Sequence, residues 1–195
     1  MGALKTLVAA AFLSAAAPVA ADSVETWRPF IKEASSRYGV PAVWIERVMR
    51  KESRGHRRFG GRPILSPAGA MGLMQLMPRT WLEMRALGGL GPDPFDAHDN
   101  ILAGALYLRL LYQRFGYPGL FAAYNAGPAR YLDYLSGQRP LPRETVRYLR
   151  DAAGVPAAVA AAPGASALFV KPGVRVEEWR WAAALPQFFA IRKGG

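Results

Sequence analysis

A chain of 195 residues, 51% of them hydrophobic, can bury one sizeable core and carry short appendages. It contains no cysteine, which excludes disulfides and makes zinc or Cys–His chemistry implausible, so its stability must come from packing. The formal charge of +11 favours polyanions as partners: nucleic acid, anionic lipid or an acidic wall polymer.

The N-terminus reads as an export signal over residues 1–21. Lys5 supplies the positive start, Leu7 to Ala17 the apolar stretch, and Val19-Ala20-Ala21 a small-residue cleavage site. The charge-free run from Thr6 to Ala21 falls short of the ~20 residues a spanning helix needs; an uncleaved anchor is the alternative. Cleavage near Ala21 gives a periplasmic or secreted chain with no membrane span. For such a chain the cell wall, not nucleic acid, is the expected polyanionic partner.

Ser23 to Tyr38 predicts a first helix with Trp27, Phe30, Ile31, Ala34 and Tyr38 on one face, ended by Gly39. A second helix runs between Pro41 and Gly55, where Ile45, Val48 and Met49 form an apolar stripe. His56 to Pro67, basic and rich in Gly and Pro, reads as a surface loop. Ala68 to Met77 mixes glycines with apolar residues, and Pro78 marks a turn or helix start before Thr80–Leu87. A loop spans Gly88–Asp99, and Asp96 or Asp99 can cap a helix from about Asn100 to Phe115. The small residues of that helix, Gly104 and Ala105, predict close contact with a neighbouring helix. Shorter helices follow over Tyr117–Tyr124, Ala129–Leu135 and Glu144–Arg150. The fold class is mainly α, with one domain over 22–151, an Ala/Pro-rich linker over 152–165 and a C-terminal tail over 166–195 that carries five large aromatics.

The i+7 position of the Ile45 stripe is Glu52. A carboxylate at the buried end of an apolar face is costly unless paired or protonated, and burial raises its pKa toward what a general acid needs. A glutamate at a fraying helix end, bonded to a loop amide or to Arg54, is the alternative. Most other carboxylates fall on polar helix faces, in capping loops or in the tail, which leaves Glu52 and Glu144. His56 and His98 stand isolated in loops, and no phosphate- or dinucleotide-binding glycine loop occurs.

Ser66 to Trp81 reads S-P-A-G-A-M-G-L-M-Q-L-M-P-R-T-W, and Ala123 to Pro128 reads A-Y-N-A-G-P. With E-S at Glu52–Ser53 and E-T-V-R-Y-L at Glu144–Leu149, these motifs resemble, in order and spacing, the SLT-type lytic transglycosylases, whose fold is goose-lysozyme-like. The resemblance covers about Val24 to Arg150. It departs mildly at Ala97, where a proline is common, and at Leu149-Arg150, which replaces a more apolar pair.

The resemblance implies peptidoglycan as substrate, cleavage of the MurNAc-GlcNAc β-1,4 bond and 1,6-anhydroMurNAc ends, with no metal or other cofactor. It implies Glu52 as the single acid and base. For substrate binding it implies Ser53, Ser66, Met74 and Gln75 along the first two motifs, Tyr124 and Asn125 in the third, and Tyr148 with its hydroxyl near the catalytic carboxyl. Ser53 reads equally well as a hydroxyl finishing a helix end. Glu144 is assigned to structure, as a cap or ion-pair partner. The compact layout resembles the small wall-opening enzymes of type IV secretion and conjugation systems, which would make secretion-system components partners. The alternatives are a hydrolytic lysozyme-type muramidase and a non-catalytic wall-binding assembly protein.

Overall fold

The structure is a computed structural model that describes residues 23–155. The expected signal (1–21), the tail (166–195) and all but the first four residues of the linker (152–165) lie outside those residues. Seven α-helices and one two-stranded hairpin are present among the described residues, so the domain is mainly α as the sequence predicts. No described helix is long and apolar enough to cross a membrane.

The first expected helix is in two pieces, a 3-10 turn at Val24–Trp27 and α1 at Arg28–Tyr38. Pro29 explains the break, since it lacks the N–H a continuing helix needs but fits a first turn. Gly39, at φ 62°, closes α1. The second helix, α2, spans Ala42–Glu52, with Pro41 as its N-cap and Ile45, Val48 and Met49 fully buried. It stops short of Gly55 because Arg54 and Gly55 both adopt positive φ. Gly55 has no substitute there: a Cβ would lie 2.3 Å from the Val24 amide nitrogen. Its carbonyl accepts the Trp27 indole N–H at 2.8 Å, which pins the end of α2 to the start of the domain.

Residues 56–67, expected as a loop, contain a hairpin. Strands β1 (Arg58–Phe59) and β2 (Arg62–Pro63) pair antiparallel around Gly60-Gly61, both at positive φ. That dipeptide is a two-residue hairpin signal in its own right, although strands this short show no alternation. Past the hairpin, α3 covers Pro78–Gly88 and α4 covers Ala97–Phe115. Asp96 caps α4, its Oδ1 accepting the Asp99 amide at 2.9 Å. Thirteen of the nineteen residues of α4 are buried, which makes it the central helix; it packs against α1, α3 and α5 (Gly119–Ala126).

Two short helices complete the domain, α6 at Pro128–Leu135 and α7 at Arg143–Ala153. The latter packs on α5 and α2 and brings its buried face, Thr145, Tyr148, Leu149 and Ala152, over the end of α2. It runs two residues into the expected linker because the alanines there extend the helix until Gly154 ends it. His98 also departs from expectation. It sits in the first turn of α4 with Nε2 2.9 Å from Glu33 and Nδ1 3.3 Å from Asp99.

Candidate active site

Glu52 is the last residue of α2, and the neighbouring Tyr148 of α7 donates its hydroxyl to Glu52 Oε1 at 2.9 Å. Burial drives the Glu52 pKa up to about 7. The Tyr148 hydrogen bond and the nearby Lys51 pull it down, and the charge of Glu144 adds to the rise. A carboxyl that titrates near 7 is protonated in a useful fraction at neutral pH and can still give up and recover its proton. Tyr148 is itself pushed well above its ordinary pKa by burial and by the Glu52 charge, so it stays a neutral donor.

The segment from Ser66 to Leu76 is a tight double turn. Ser66 Oγ accepts the Ala70 amide, Leu65 bridges Met71, and Met71 bridges Leu76. Gln75 sits at φ 47°, a conformation that costs a non-glycine residue about 1–3 kcal/mol and persists only where surroundings enforce it. Here its amide and its Nε2 both donate to the Gly72 carbonyl, at 3.1 and 2.9 Å. This tether uses one end of the side chain and leaves Oε1 for the cleft.

A fully buried residue that the sequence reading passed over, Asn100 of α4, holds this segment in place. Its Oδ1 accepts the Met74 amide at 2.7 Å, and its Nδ2 donates to the Met71 and Pro94 carbonyls. An amide in the first turn of α4, on the face that carries Ile101 and Gly104, was the available signal. Gly72 must be glycine beside it, since a Cβ would lie 2.4 Å from Asn100 Nδ2.

Next to this loop, Tyr124 and Asn125 lie in the last turn of α5. Tyr124 donates its hydroxyl to the Met74 carbonyl at 2.7 Å, and the charge of Glu52 adds to the burial that raises its pKa. Asn125 Oδ1 accepts the hydroxyl of Thr145, a buried residue of α7, at 2.7 Å. That bond turns Asn125 Nδ2 outward. Gln75, Thr80, Tyr107, Tyr124 and Asn125 are among the residues lining a pocket of about 230 Å³. Glu52 is not in its lining; Tyr124 and Tyr148 connect the two.

Two expected contact residues are corrected. The Met74 side chain is fully buried and fills the space over Gly104, where a Cβ would come within 2.6 Å of Met74 Cγ. It is core, and only its backbone serves the site. Gly104 thus admits a loop side chain, while α4 as a whole packs against α1, α3 and α5. Ser53 is buried as well. Its hydroxyl donates to the Met49 carbonyl and accepts the Gly55 amide, which leaves the helix-end reading and removes the substrate-facing one. Ser66 is half-buried with its hydroxyl occupied by Ala70. Among the described residues Glu144 forms neither a capping bond nor an ion pair. It stands exposed in the first turn of α7 and acts on Glu52 through its charge.

Residues 29–145 match the Transglycosylase SLT domain family. The chain is 34% identical over 116 residues to a soluble lytic murein transglycosylase of Escherichia coli, covering 56% of this chain and 17% of that protein. It is 32% identical over 108 residues to membrane-bound lytic murein transglycosylase C of Haemophilus influenzae, covering 50% and 29%. The fold is similar to that of an inactive glutamate-to-glutamine variant of lytic transglycosylase Slt from Pseudomonas aeruginosa, with a TM-score of 0.56, 29% identity, and coverage of 64% of this chain and 22% of that one. The chain thus spans less than a third of each of these relatives. The family match covers more than half of this sequence, takes in Glu52 and the whole of α2, and ends three residues before Tyr148: the chain belongs to the Transglycosylase SLT domain family.

Proposed function

We propose that this chain cleaves peptidoglycan glycan strands as a lytic transglycosylase, with Glu52 as both acid and base. The observation that carries this reading is a carboxyl at the end of α2, buried enough to titrate near 7 and bonded on one oxygen by Tyr148. With Oε1 held, the proton on Oε2 goes to the glycosidic oxygen, and the bond from C1 to that oxygen breaks. The Glu52 carboxylate then takes the proton from the C6 hydroxyl of the same muramoyl sugar as that oxygen bonds to C1. The product is a 1,6-anhydro ring, no water is consumed, and Glu52 ends protonated as it began. A tethered nucleophile needs no second carboxylate to position water, which suits a site with one half-buried glutamate. The inactive glutamate-to-glutamine relative, and the murein named in the other relatives, support the same reading.

Asn125 and Gln75, each anchored at one end, offer a free donor and a free acceptor suited to the acetamido groups of the strand. Export through the 1–21 signal and a role in opening the wall for a secretion or conjugation apparatus belong to this proposal. Mass spectrometry of digested sacculi tests the chemistry. Lytic cleavage leaves muropeptides one water lighter than those of a hydrolytic muramidase, and hydrated reducing ends alone would assign the chain to hydrolysis instead.

A further inference from the structure

From Ser53 to Leu82 the chain has no acidic residue, and Arg54, Arg57, Arg58 and Arg62 cluster at the start of that stretch. Two of these charges ride on the β1–β2 hairpin, which projects from the domain. Residues 57–63 are all exposed, and a Cβ built on Gly60 or Gly61 at the tip would meet no atom within 4 Å. Arg58 donates to the Gly61 carbonyl at 2.8 Å, and the Ile64 amide to the Arg57 carbonyl, so the projection is held as a ribbon. Its register pairs Phe59 with Arg62 and Arg58 with Pro63, which sets a cation beside an apolar side chain in each cross-strand pair. Phe59 is 84% exposed and Leu65, just past β2, is 57% exposed. Apolar side chains this exposed contribute little to folding, and gathered in a patch they mark a protein or membrane contact.

We infer that this hairpin docks the domain on an anionic phospholipid surface, with the Phe59 ring entering the boundary between headgroups and acyl chains and the arginines holding phosphates around it. Charge complementarity and apolar exposure select this occupant together. A wall glycopolymer or a nucleic acid duplex would use the arginines and gain little from the exposed phenylalanine and leucine. A bilayer takes both, because arginine stems lie along the apolar boundary while their heads stay among the phosphates. Size agrees. Strands of two residues reach about 7 Å, within the ~5–10 Å depth of that boundary and well short of the roughly 9–11 residues a spanning strand needs. Asp93 and Asp96 flank Phe95, a half-buried residue lining the groove it shares with Phe59 and Leu65, and each gives a carboxylate oxygen to a backbone amide. Those acids favour contact through the hairpin tip over contact through the whole groove. The inference adds to the proposed cleavage a place from which it acts, the membrane side of the wall, reached without a spanning segment, and it does not depend on the cleavage chemistry.

The chain has no cysteine, so Pro63→Cys gives a single attachment point for a nitrobenzoxadiazole dye beside the tip. On phosphatidylglycerol–phosphatidylcholine vesicles the dye on the full chain should brighten and shift to the blue. Partition should be at least about tenfold weaker on pure phosphatidylcholine, and the difference should shrink as salt rises. The dye reports the hairpin itself; a contact made elsewhere on the chain would leave it in water. Arg58→Gln combined with Arg62→Gln should weaken partition about 25-fold, at about fivefold per cation near an anionic surface. Phe59→Ser should weaken it about tenfold, the scale of a ring partly removed from water. Melting temperatures confirm that both variants fold. A dye that stays in water on anionic vesicles, an unchanged partition in the double arginine variant, or equal partition on neutral and anionic vesicles overturns the inference. So does a double variant that keeps its vesicle binding and loses binding to purified sacculi or to duplex DNA, which would assign the arginines to another polyanion.

Discussion

Replacing Glu52 by glutamine should make the protein more stable as it makes it inactive, and the gain should depend on pH in a defined way. The carboxyl titrates near 7 in the folded chain against an ordinary 4.5. Between those values the folded state binds more protons than the unfolded one, so stability falls as pH rises. At about 1.4 kcal/mol per pH unit, the window removes up to about 3 kcal/mol, fully lost above pH 7 and absent below pH 4.5. Glutamine does not titrate, and its carbonyl can still accept the Tyr148 hydroxyl. The variant should therefore match wild type near pH 4 and exceed it by about 3 kcal/mol at pH 8, on the order of 10 °C in melting temperature for a domain this size. Urea or thermal unfolding of both proteins from pH 4 to 8.5 measures the gap, and muropeptide release measures activity, which should fall by about 10²- to 10⁴-fold. A gap that stays flat with pH would show that Glu52 ionises like a surface carboxyl. Release within a few-fold of wild type would remove it from the chemistry.

Tyr148→Phe and Glu144→Gln should move the alkaline limb of the pH–rate profile in opposite directions. The first deletes a bond that favours the Glu52 carboxylate and shifts the limb up, and the second deletes a neighbouring negative charge and shifts it down, less so at high salt. Shifts of the same sign for both would refute the assignment. Thr145→Val frees Asn125 without changing side-chain shape, and should raise KM by about 0.5–1.5 kcal/mol equivalent with the pH profile unmoved, while Thr145→Ser restores it. Gly55→Ala forces a Cβ into the Val24 amide at positive φ and should cost more than about 2 kcal/mol, read as a lowered melting temperature.

The helices were legible because their signals are local. The Ile45–Val48–Met49 stripe, the Asp96 cap and the Pro and Gly that end each element act within a few residues of themselves. What escaped is set by contacts across the chain. Met74 looked like a cleft residue because nothing near it in sequence shows that Gly104, thirty positions on, leaves a hole for it. Asn100 looked like one more first-turn residue, although it staples a loop 26 to 29 residues away. The Glu52–Tyr148 bond spans 96 positions, and only the motif resemblance connected its ends beforehand. The start of the linker was misplaced for a different reason. Alanines are as good in a helix as in a spacer, and burial of Ala152 against the core decides between them.

The same construction recurs at three polar side chains of the site. Glu52, Gln75 and Asn125 each have one atom committed inside the protein, to Tyr148, the Gly72 carbonyl and Thr145 respectively. The remaining atom of each is left with a fixed sense, an acid proton, an acceptor and a donor, and Gln75 and Asn125 line the pocket. Long polar side chains lose up to about 1.5–2 kcal/mol of rotamer freedom when ordered, and here that cost is met in folding and not when substrate arrives. It also fixes discrimination. A free asparagine can turn either end of its amide to a ligand, whereas one held by Thr145 offers N–H alone, so a sugar lacking the acetamido carbonyl leaves that donor unmatched. The Glu52 carboxyl is the exception in energy but not in design. Its tether to Tyr148 favours the charged form, and its burial opposes that form more strongly, so the net rise to about 7 is a balance that α2 and α7 maintain only while they stay packed together. Loosening that contact would admit water and return the carboxyl toward 4.5, which makes the packing of α7 on α2 part of the acid–base chemistry.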